Sequence, residues 1–367
     1  MVVLVDISHP AHVHFFRPVA EHLREQGDSA WIVGRKKDVT AELLAESGLP
    51  HEILPGPAST ASSRSRRQLL AELIGRASQL RQRIRAMNVD VVLTRNPSGV
   101  LAAVGTHAQS VFDTDDGRSV GWHYWLARPF ADAISSSVFD PENHGRRHRR
   151  YRGLKAHMFL RPQYFQPDPR IRSLWLRGDE PLFVVRLSAH DASHDRRVSG
   201  ITPAARETLI RLLQARGPTL LSIEGEGLRL TRRIREEVST VRVPATHFLH
   251  LLAASSLCVG DSQSVAVEAA TLGVPTLRLS SFTGKVYPLR ILQERGIVKN
   301  FVPGADGELI AEVQSSLKRL PEISAATRVA AQQLAADADD LPDWFFKLIH
   351  ALVQEKTKTF PARPDCI

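Results

Sequence analysis

Short apolar runs, each ending in a polar turn and followed by an amphipathic stretch, recur along the chain. This alternation constrains the fold more than any other feature. The run at 2–7 (VVLVDI) is followed by Val13, Phe16, Ala20 and Leu23 at helical spacing, with Gly27 closing the helix. Pro18 is best tolerated in the first turn of a helix, which predicts that this helix starts near Arg17. Further runs lie at 29–34, 52–54, 90–94, 110–114 and 131–138, with helices predicted over 42–47 and 68–87 and a Pro/Ser-rich loop at 55–65. After the turn-rich segment 161–169 the rhythm restarts, with strands predicted at 181–188, 218–225, 240–245, 256–261 and 275–280 and a strongly amphipathic helix at 340–356. Near-continuous apolar strands separated by helices imply parallel sheets covered on both faces.

At 367 residues the chain exceeds what one hydrophobic core usually serves. The expectation is an α/β protein of two Rossmann-like, doubly wound domains facing across a cleft. The first covers 1–165 and the second 166–339, and a C-terminal helix and tail at 340–367 pack back on the first. Ligands in such sheets bind beyond the carboxyl ends of the strands, which directs attention to that cleft.

Composition narrows the classes. Hydrophobic residues make up 43% and charged residues 24%, the values of a globular protein. No apolar run approaches the ~20 residues that cross a bilayer. The opening MVVLVDISHP lacks a basic region and a cleavage site, so it reads as a strand and the chain as cytoplasmic. Cys258 and Cys366 support neither a disulfide scaffold nor a cysteine metal site. The formal net charge of +9 points to an anionic partner. Much of it is local: Arg64, Arg66 and Arg67 lead into a helix carrying Arg76, Arg81, Arg83 and Arg85, and a second block covers 144–157 (HGRRHRRYRGLKAH). Such blocks are either solvated faces or contacts to an anionic acceptor or lipid headgroups, including peripheral contact at the inner face of a membrane. Aromatic residues total only 6% and are not interleaved with them, so nucleic acid is not expected.

Four segments could carry chemistry. In GDSQSVAVEAATLGVPTLRL (260–279) a strand ends at Gly260 and a helix is predicted to begin near Ser264. Its start offers unpaired backbone N–H groups and a positive dipole end for a phosphate, with Ser262, Gln263 and Ser264 as further donors. Glu268, one turn in, could accept from ribose hydroxyls, although a carboxylate also suits the first turn of any helix. In DISHPAHVHFFRPVAEHL (6–23), His9, His12 and His14 are placed on or beside the strand-to-helix loop. They could supply imidazoles to a metal, but no carboxylate-plus-histidine pattern such as H-E-x-x-H follows, and no metal is expected. VFDTDDG (111–117) ends a strand with Asp113, Asp115 and Asp116, which can raise one another's pKa and provide a base, or simply make turns and caps. RLSAHDASHDRRVSG (186–200) follows the first strand of the second half and offers Arg186, His190, Ser193 and His194. Its DASHD run is no catalytic triad, since triads are assembled by the fold and no G-x-S-x-G elbow exists here. Lys285, after the last of these strands, could meet a phosphate.

The spacing Asp-Ser-x-x-x-x-x-Glu-Ala followed by Leu-Gly-x-Pro resembles the signature of non-hydrolysing UDP-N-acetylglucosamine 2-epimerases and of the N-acetylglucosaminyltransferase that makes lipid II. Those are GT-B proteins, in which the turn holds the diphosphate and the glutamate the ribose. The resemblance therefore places Ser262, Gln263 and Ser264 against a diphosphate and Glu268 against a ribose, with Gln263 and Ser264 standing where a Gly pair is usual. It places the 186–200 loop and Phe248 with the nucleotide-sugar and His12 where the transferase has its loop histidine. DISHPAHVHFFRP, FDTDD, the DASHD loop and GDSQSVAVEAATLGVPTLRLSSFTGK together are similar to the domain of unknown function 354 family, which is GT-B-like and spans nearly the whole chain. The epimerases end one strand in His-Gly-Asp and carry a Thr-His-Arg-Arg-Glu-Asn loop. Here the strand end reads LTRNPSG (93–99), without an acid.

The resulting expectation is a metal-independent, cofactor-free GT-B glycosyltransferase that uses a nucleotide-sugar, taken to be UDP-linked, in cell-surface glycan or glycolipid synthesis. His12, Asp113 and Asp115 are the catalytic candidates, with His9, His14 and Asp116 on the acceptor side. A UDP-N-acetylhexosamine 2-epimerase-like enzyme and a non-catalytic nucleotide- or nucleic-acid-binding protein are the alternatives.

Overall fold

A computed structural model describes residues 1–35, 40–55, 66–115, 117, 122–188, 200–223, 243–284 and 286–359. The chain divides into two compact units, Met1–Phe159 with Ala338–Ile367, and Leu160–Asp337.

The first unit runs β1 (Val2–Ile7), α1 (Pro10–Glu25), β2 (Ser29–Arg35), α2 (Thr40–Glu46), β3 (His51–Leu54), α3 (Arg66–Ala86), β4 (Val91–Thr94), α4 (Pro97–Ala103), β5 (Gln109–Asp113), α5 (Trp122–Ala127), β6 (Ala133–Ser137) and β7 (His148–Tyr151). A short α6 (His157–Leu160) follows. The strands form one parallel sheet in the order β3-β2-β1-β4-β5-β6-β7. Winding reverses between β1 and β4, which is the switch point of a doubly wound sheet. Val3, Leu4, Val5, Val91, Val92 and Leu93 are fully buried, as strands covered on both faces must be.

The second unit runs α7 (Pro169–Trp175), β8 (Leu182–Leu187), α8 (Pro203–Gln214), β9 (Thr219–Ile223), α9 (Ala245–Ala253), β10 (Ser255–Gly260), α10 (Gln263–Thr271), β11 (Thr276–Leu279), α11 (Tyr287–Glu294), β12 (Val298–Phe301), α12 (Asp306–Lys318) and α13 (Leu320–Ala336). Its parallel sheet has the order β12-β11-β10-β8-β9, with the switch point between β8 and β10. Phe183, Val185, Leu187, Val259, Leu277 and Leu279 pack on one face against Leu209, Leu213, Leu309 and Val313 of α8 and α12.

The last helix, α14 (Leu341–Thr359), returns to the first unit. Its buried stripe of Leu341, Phe345, Ile349 and Leu352 follows the helical repeat. Phe345 meets Phe15 of α1 edge-on at 5.8 Å, and the His350 ring lies 2.7 Å from Asp28.

Several expectations are corrected. The first helix starts at Pro10 and not near Arg17, and Pro18 lies inside it. An interior proline costs about 3 kcal/mol. Burial of Val13, Phe15, Phe16, Val19 and Leu23, at roughly 1.5–3 kcal/mol each, outweighs that. His12 and His14 are thus helical, and only His9 lies outside, as the cap. Strands β7 and β12 lack an apolar run and were not expected. β7 lies in the basic block as an edge strand, where charged side chains are tolerated. Of the strand expected at 240–245, residues 240–242 lie outside the described residues, and Ala245 opens α9.

Much of the basic excess is engaged in intramolecular bonds. Arg76 reaches from α3 to Asp6 at 2.5 Å, Arg81 donates to the carbonyls of Leu101 and Ala102, and Arg83 pairs with Glu52. In the second block Arg147 donates to the carbonyls of Pro129 and Ala131, and Arg150 to those of Asp140 and Glu142. His144 is buried between Tyr124 (2.7 Å) and Asp140 (3.0 Å).

Asp6 is fully buried at the end of β1, where Arg76 neutralises it and the Thr94 hydroxyl donates to it at 2.8 Å. Removing one partner of a buried ion pair strands the other. Arg76→Met is expected to lower the unfolding free energy by about 3 kcal/mol, and Thr94→Val by about 1–2 kcal/mol, in urea titrations. A loss under about 1 kcal/mol for Arg76→Met would show that Asp6 is solvated.

Candidate functional site

At the carboxyl edge of the first sheet, the switch point between β1 and β4 gathers charge. His9 caps α1, its Nδ1 accepting from the Ala11 amide at 3.2 Å, and Pro10 supplies the preset first turn. His12 lies next along that turn, half-buried, with its Nδ1 3.4 Å from the Ser8 hydroxyl and its ring edge-on to Phe16. Burial, then the charges of Arg95 and Lys155, hold the His12 imidazole well below its ordinary pKa, so it is neutral at pH 7.

Arg95 follows β4 directly and grips both Asp113 and Asp115. Asp113, the last residue of β5, is buried and accepts from the Ser135 hydroxyl at 2.9 Å. Burial pushes its carboxyl up to about 6 against the pull of Arg95. Burial acts the same way on Asp115, but Arg95 and Lys155, the latter at 3.4 Å, outweigh it and hold that carboxyl well below the usual range. Asp115 does raise Asp113, as expected of clustered carboxylates, but it is not the largest cause. For Asp113 desolvation leads, and the pair is embedded with two cations. Asp116 lies outside the described residues. His14 faces elsewhere, stacking on Phe159 at 5.6 Å, and burial with Arg17 lowers it to about 4.

At the carboxyl edge of the second sheet, α10 begins one residue earlier than expected. Ser262 is its cap, with no side-chain capping bond, and the first N–H groups of a helix have no partner within it. Ser262 is buried, Gln263 half-buried and Ser264 exposed. Asp261 braces the switch point, accepting from the Ser188 amide at 2.6 Å and lying 3.7 Å from Arg206. Arg186 donates to the Ser222 hydroxyl at 2.7 Å. Glu268 is half-buried on α10, its charge close enough to help push the Cys258 thiol up to about 12, chiefly a burial effect. Phe248 is half-buried on α9. His190, Ser193, His194 and Lys285 lie outside the described residues.

The structure thus gathers His12, Asp113 and Asp115 at one sheet edge, and Arg186 with Ser262–Ser264 at the other. Sequence reading missed Arg95, Lys155, Asp261 and Arg206. Arg95 carried a usable signal, being the first charged residue after a buried strand, as Asp113 is the last of one. Lys155 was hidden in a block read as surface. A cavity of about 550 Å³ lies elsewhere, at the amino end of β5, lined by Gly105, Gln109, Asp132 and Arg147. Among the described residues no group of three or more His, Cys, Asp or Glu is placed to hold a metal ion, and no helix is long and apolar enough to cross a membrane.

No known family profile and no curated protein matches the sequence, so the resemblance to the domain of unknown function 354 family rests on its motifs. Solved structures do match. A putative UDP-N-acetylglucosamine 2-epimerase from Listeria monocytogenes superposes with a TM-score of 0.65 at 16% identity, over 100% of this chain and 99% of that one. UDP-GlcNAc 2-epimerase from Neisseria meningitidis, bound to UDP-GlcNAc, gives 0.63 at 13%, over 92% and 99%. The spinosyn forosaminyltransferase SpnP gives 0.63 at 14%, over 95% and 99%. The fold is GT-B-like, with two Rossmann-like domains. It is shared by epimerases and glycosyltransferases.

The lowered pKa of His14 has a stability consequence. Between its folded value of about 4 and its ordinary 6.5, the unfolded chain binds the proton that the folded chain refuses. This contribution is complete above pH 6.5 and is lost as the pH falls toward 4. The melting temperature should therefore drop over that window, and His14→Phe should make the drop shallower. An identical pH profile for the variant would count against a buried neutral His14.

Proposed function

We propose that the chain is a glycosyltransferase of GT-B type that moves a sugar from a nucleotide donor, read as UDP-linked, to an acceptor in cell-surface glycan or glycolipid synthesis. The observation that carries transfer over epimerisation is the end of β4. By resemblance the strand end LTRNPSG, with Arg95 and Asn96, the cap of α4, corresponds to the His-Gly-Asp of the epimerases and carries no acid. Arg95 also engages the nearby carboxylates of Asp113 and Asp115. Epimerisation needs acidic groups to remove and return a proton at carbon, whereas transfer needs one base for a hydroxyl and support for a leaving diphosphate.

In this reading the second unit holds the donor. The amino end of α10, with Ser262, Gln263 and Ser264, supports the diphosphate; Glu268 accepts from the ribose; Arg186 and Phe248 complete that side, with His190, Ser193, His194 and Lys285 assigned by resemblance. The first unit serves the acceptor. Neutral His12 takes the acceptor's hydroxyl proton as the oxygen–carbon bond forms and the sugar–phosphate bond breaks, the electron pair leaving with the diphosphate. Asp113 and Asp115, with Arg95 and Lys155, set the field around that imidazole, and His9 and Asp116 complete the acceptor side, from which His14 is turned away onto Phe159. No metal is assigned a role, because a helix dipole and basic side chains carry the phosphate charge.

Peripheral membrane contact is part of the proposal, and the enzyme is placed in the cytoplasm. Trp122, Trp125 and Phe130 are 41%, 52% and 48% exposed, and Arg128 lies over the Trp125 ring. Interfacial aromatics beside cations suit an anionic lipid surface.

UDP-, GDP-, CMP- and dTDP-sugars are to be screened for a melting shift. A UDP-sugar is expected to stabilise the chain, and Glu268→Ala to remove the shift. Replacing His12 by Ala should lower transfer by about 10²–10⁴-fold while donor affinity changes less than about twofold. The wild-type rate should persist below pH 6.5, because His12 stays neutral there. Deuterium entering carbon 2 of the donor sugar in D₂O would sink transfer in favour of epimerisation. Trp122→Ser with Trp125→Ser should weaken sedimentation with anionic liposomes, and unchanged binding would remove the membrane contact.

A further inference from the structure

Parallel register sets Ser222, Arg186, Gly260, Arg278 and Asn300 side by side across β9, β8, β10, β11 and β12. Residues paired in this way project to the same face of a sheet. The middle strand contributes no side chain, and a Cβ at Gly260 would lie 2.1 Å from the Arg186 carbonyl oxygen. Gly260 stands two residues before Ser262, the cap of α10. The row is therefore polar and set at the foot of the helix terminus described above, with the Arg186 backbone pressed against its central glycine.

Arg278 is the anomaly in that row. It is 1% exposed and heads the largest fully buried side chains, yet its Nε and Nη1 have no hydrogen-bond partner among the described residues. Its carboxylate neighbour is engaged. Asp261, the carboxylate whose charge it feels, accepts from the Ser188 amide and faces Arg206. Asn300 on the other side donates its amide to Gln293 Oε1 at 2.8 Å, while its Oδ1 is buried without a partner among the described residues. Burial lowers the guanidinium to about 10, so it remains charged at neutral pH. Enclosed donors without acceptors cost more than almost any other arrangement, and two on one cation are not kept for packing.

We propose that Arg278 is an anion-binding residue that receives a phosphoryl oxygen of the bound nucleotide, acting with the amino end of α10. A guanidinium offers paired donors that match phosphate geometry, which a helix terminus alone does not. The inference rests on the nucleotide-sugar reading for the identity of the ligand, but not for its charge. Arg278 binds phosphate and does not touch the transferred hydroxyl.

The test compares the full chain with Arg278→Met and Arg278→Lys, titrated with UDP, uridine and inorganic pyrophosphate, with melting temperatures read without ligand. Wild type is expected to bind UDP and pyrophosphate. Arg278→Met should lose affinity for both by about tenfold or more and leave uridine unchanged. Its unliganded melting temperature should stay level or rise, because a buried unpaired charge has been removed. Should that variant not fold, Arg278→Lys, which keeps the charge but not the fork, must weaken UDP more than uridine. UDP binding to Arg278→Met within twofold of wild type overturns the proposal. So does a fall in its unliganded melting temperature with anion affinity intact, the signature of a purely structural arginine beside Asn300. Wild type that binds pyrophosphate through Arg278 but no nucleotide would overturn the nucleotide-sugar reading and leave the anion seat standing. Wild type that binds neither overturns both.

Discussion

Charged side chains taken out of water at the carboxyl ends of buried strands must find compensation close by, and this requirement organises both units. In the first, Asp6 is held by Arg76, and Asp113 and Asp115 by Arg95. In the second, Asp261 takes the Ser188 amide and faces Arg206. Each pairing joins segments distant in the chain, so helices and loops are drawn onto the strand ends. The strands themselves are apolar and indifferent to chemistry. The rim, where the chain must turn, carries the charge.

That arrangement gives the two sheet edges different characters. In the first unit carboxylates and cations gather around His12, and burial, helped by the charges of Arg95 and Lys155, keeps its imidazole unprotonated. A neutral imidazole is the form able to accept a proton, the role proposed for His12. In the second unit, among the described residues, Arg186, Arg206 and Arg278 lie around Asp261 at a helix start without a side-chain cap. An edge of that kind receives anions. A GT-B-like fold hosts both epimerases and transferases, so the distinction lies in such local groups and not in the architecture.

Legibility in the sequence followed the range of the forces involved. β1, β4, β8 and β10 were readable because burial on both faces leaves a continuous apolar run. β7 and β12 were not, because edge strands are stabilised by pairing to a neighbour that no local pattern reveals. The start of α1 was misplaced for a related reason. Pro18 is a local penalty, and the compensating burial of Phe15 against Phe345 comes from the far end of the chain. The arginines of α3 read as a basic surface, since nothing nearby in sequence announces Asp6, Leu101 or Glu52 as their partners.

By itself, then, the sequence determined two doubly wound α/β domains, a returning C-terminal helix, and the turns after β1, β5 and β10 as places where polar groups collect. Hydrophobic periodicity and turn chemistry act over a few residues and need no knowledge of the fold. Only the tertiary structure decided the protonation of His12, the division of labour between Asp113 and Asp115, and the unpaired burial of Arg278. Those depend on desolvation and on charges tens of residues away, and both quantities come into being when the strands take their places beside one another.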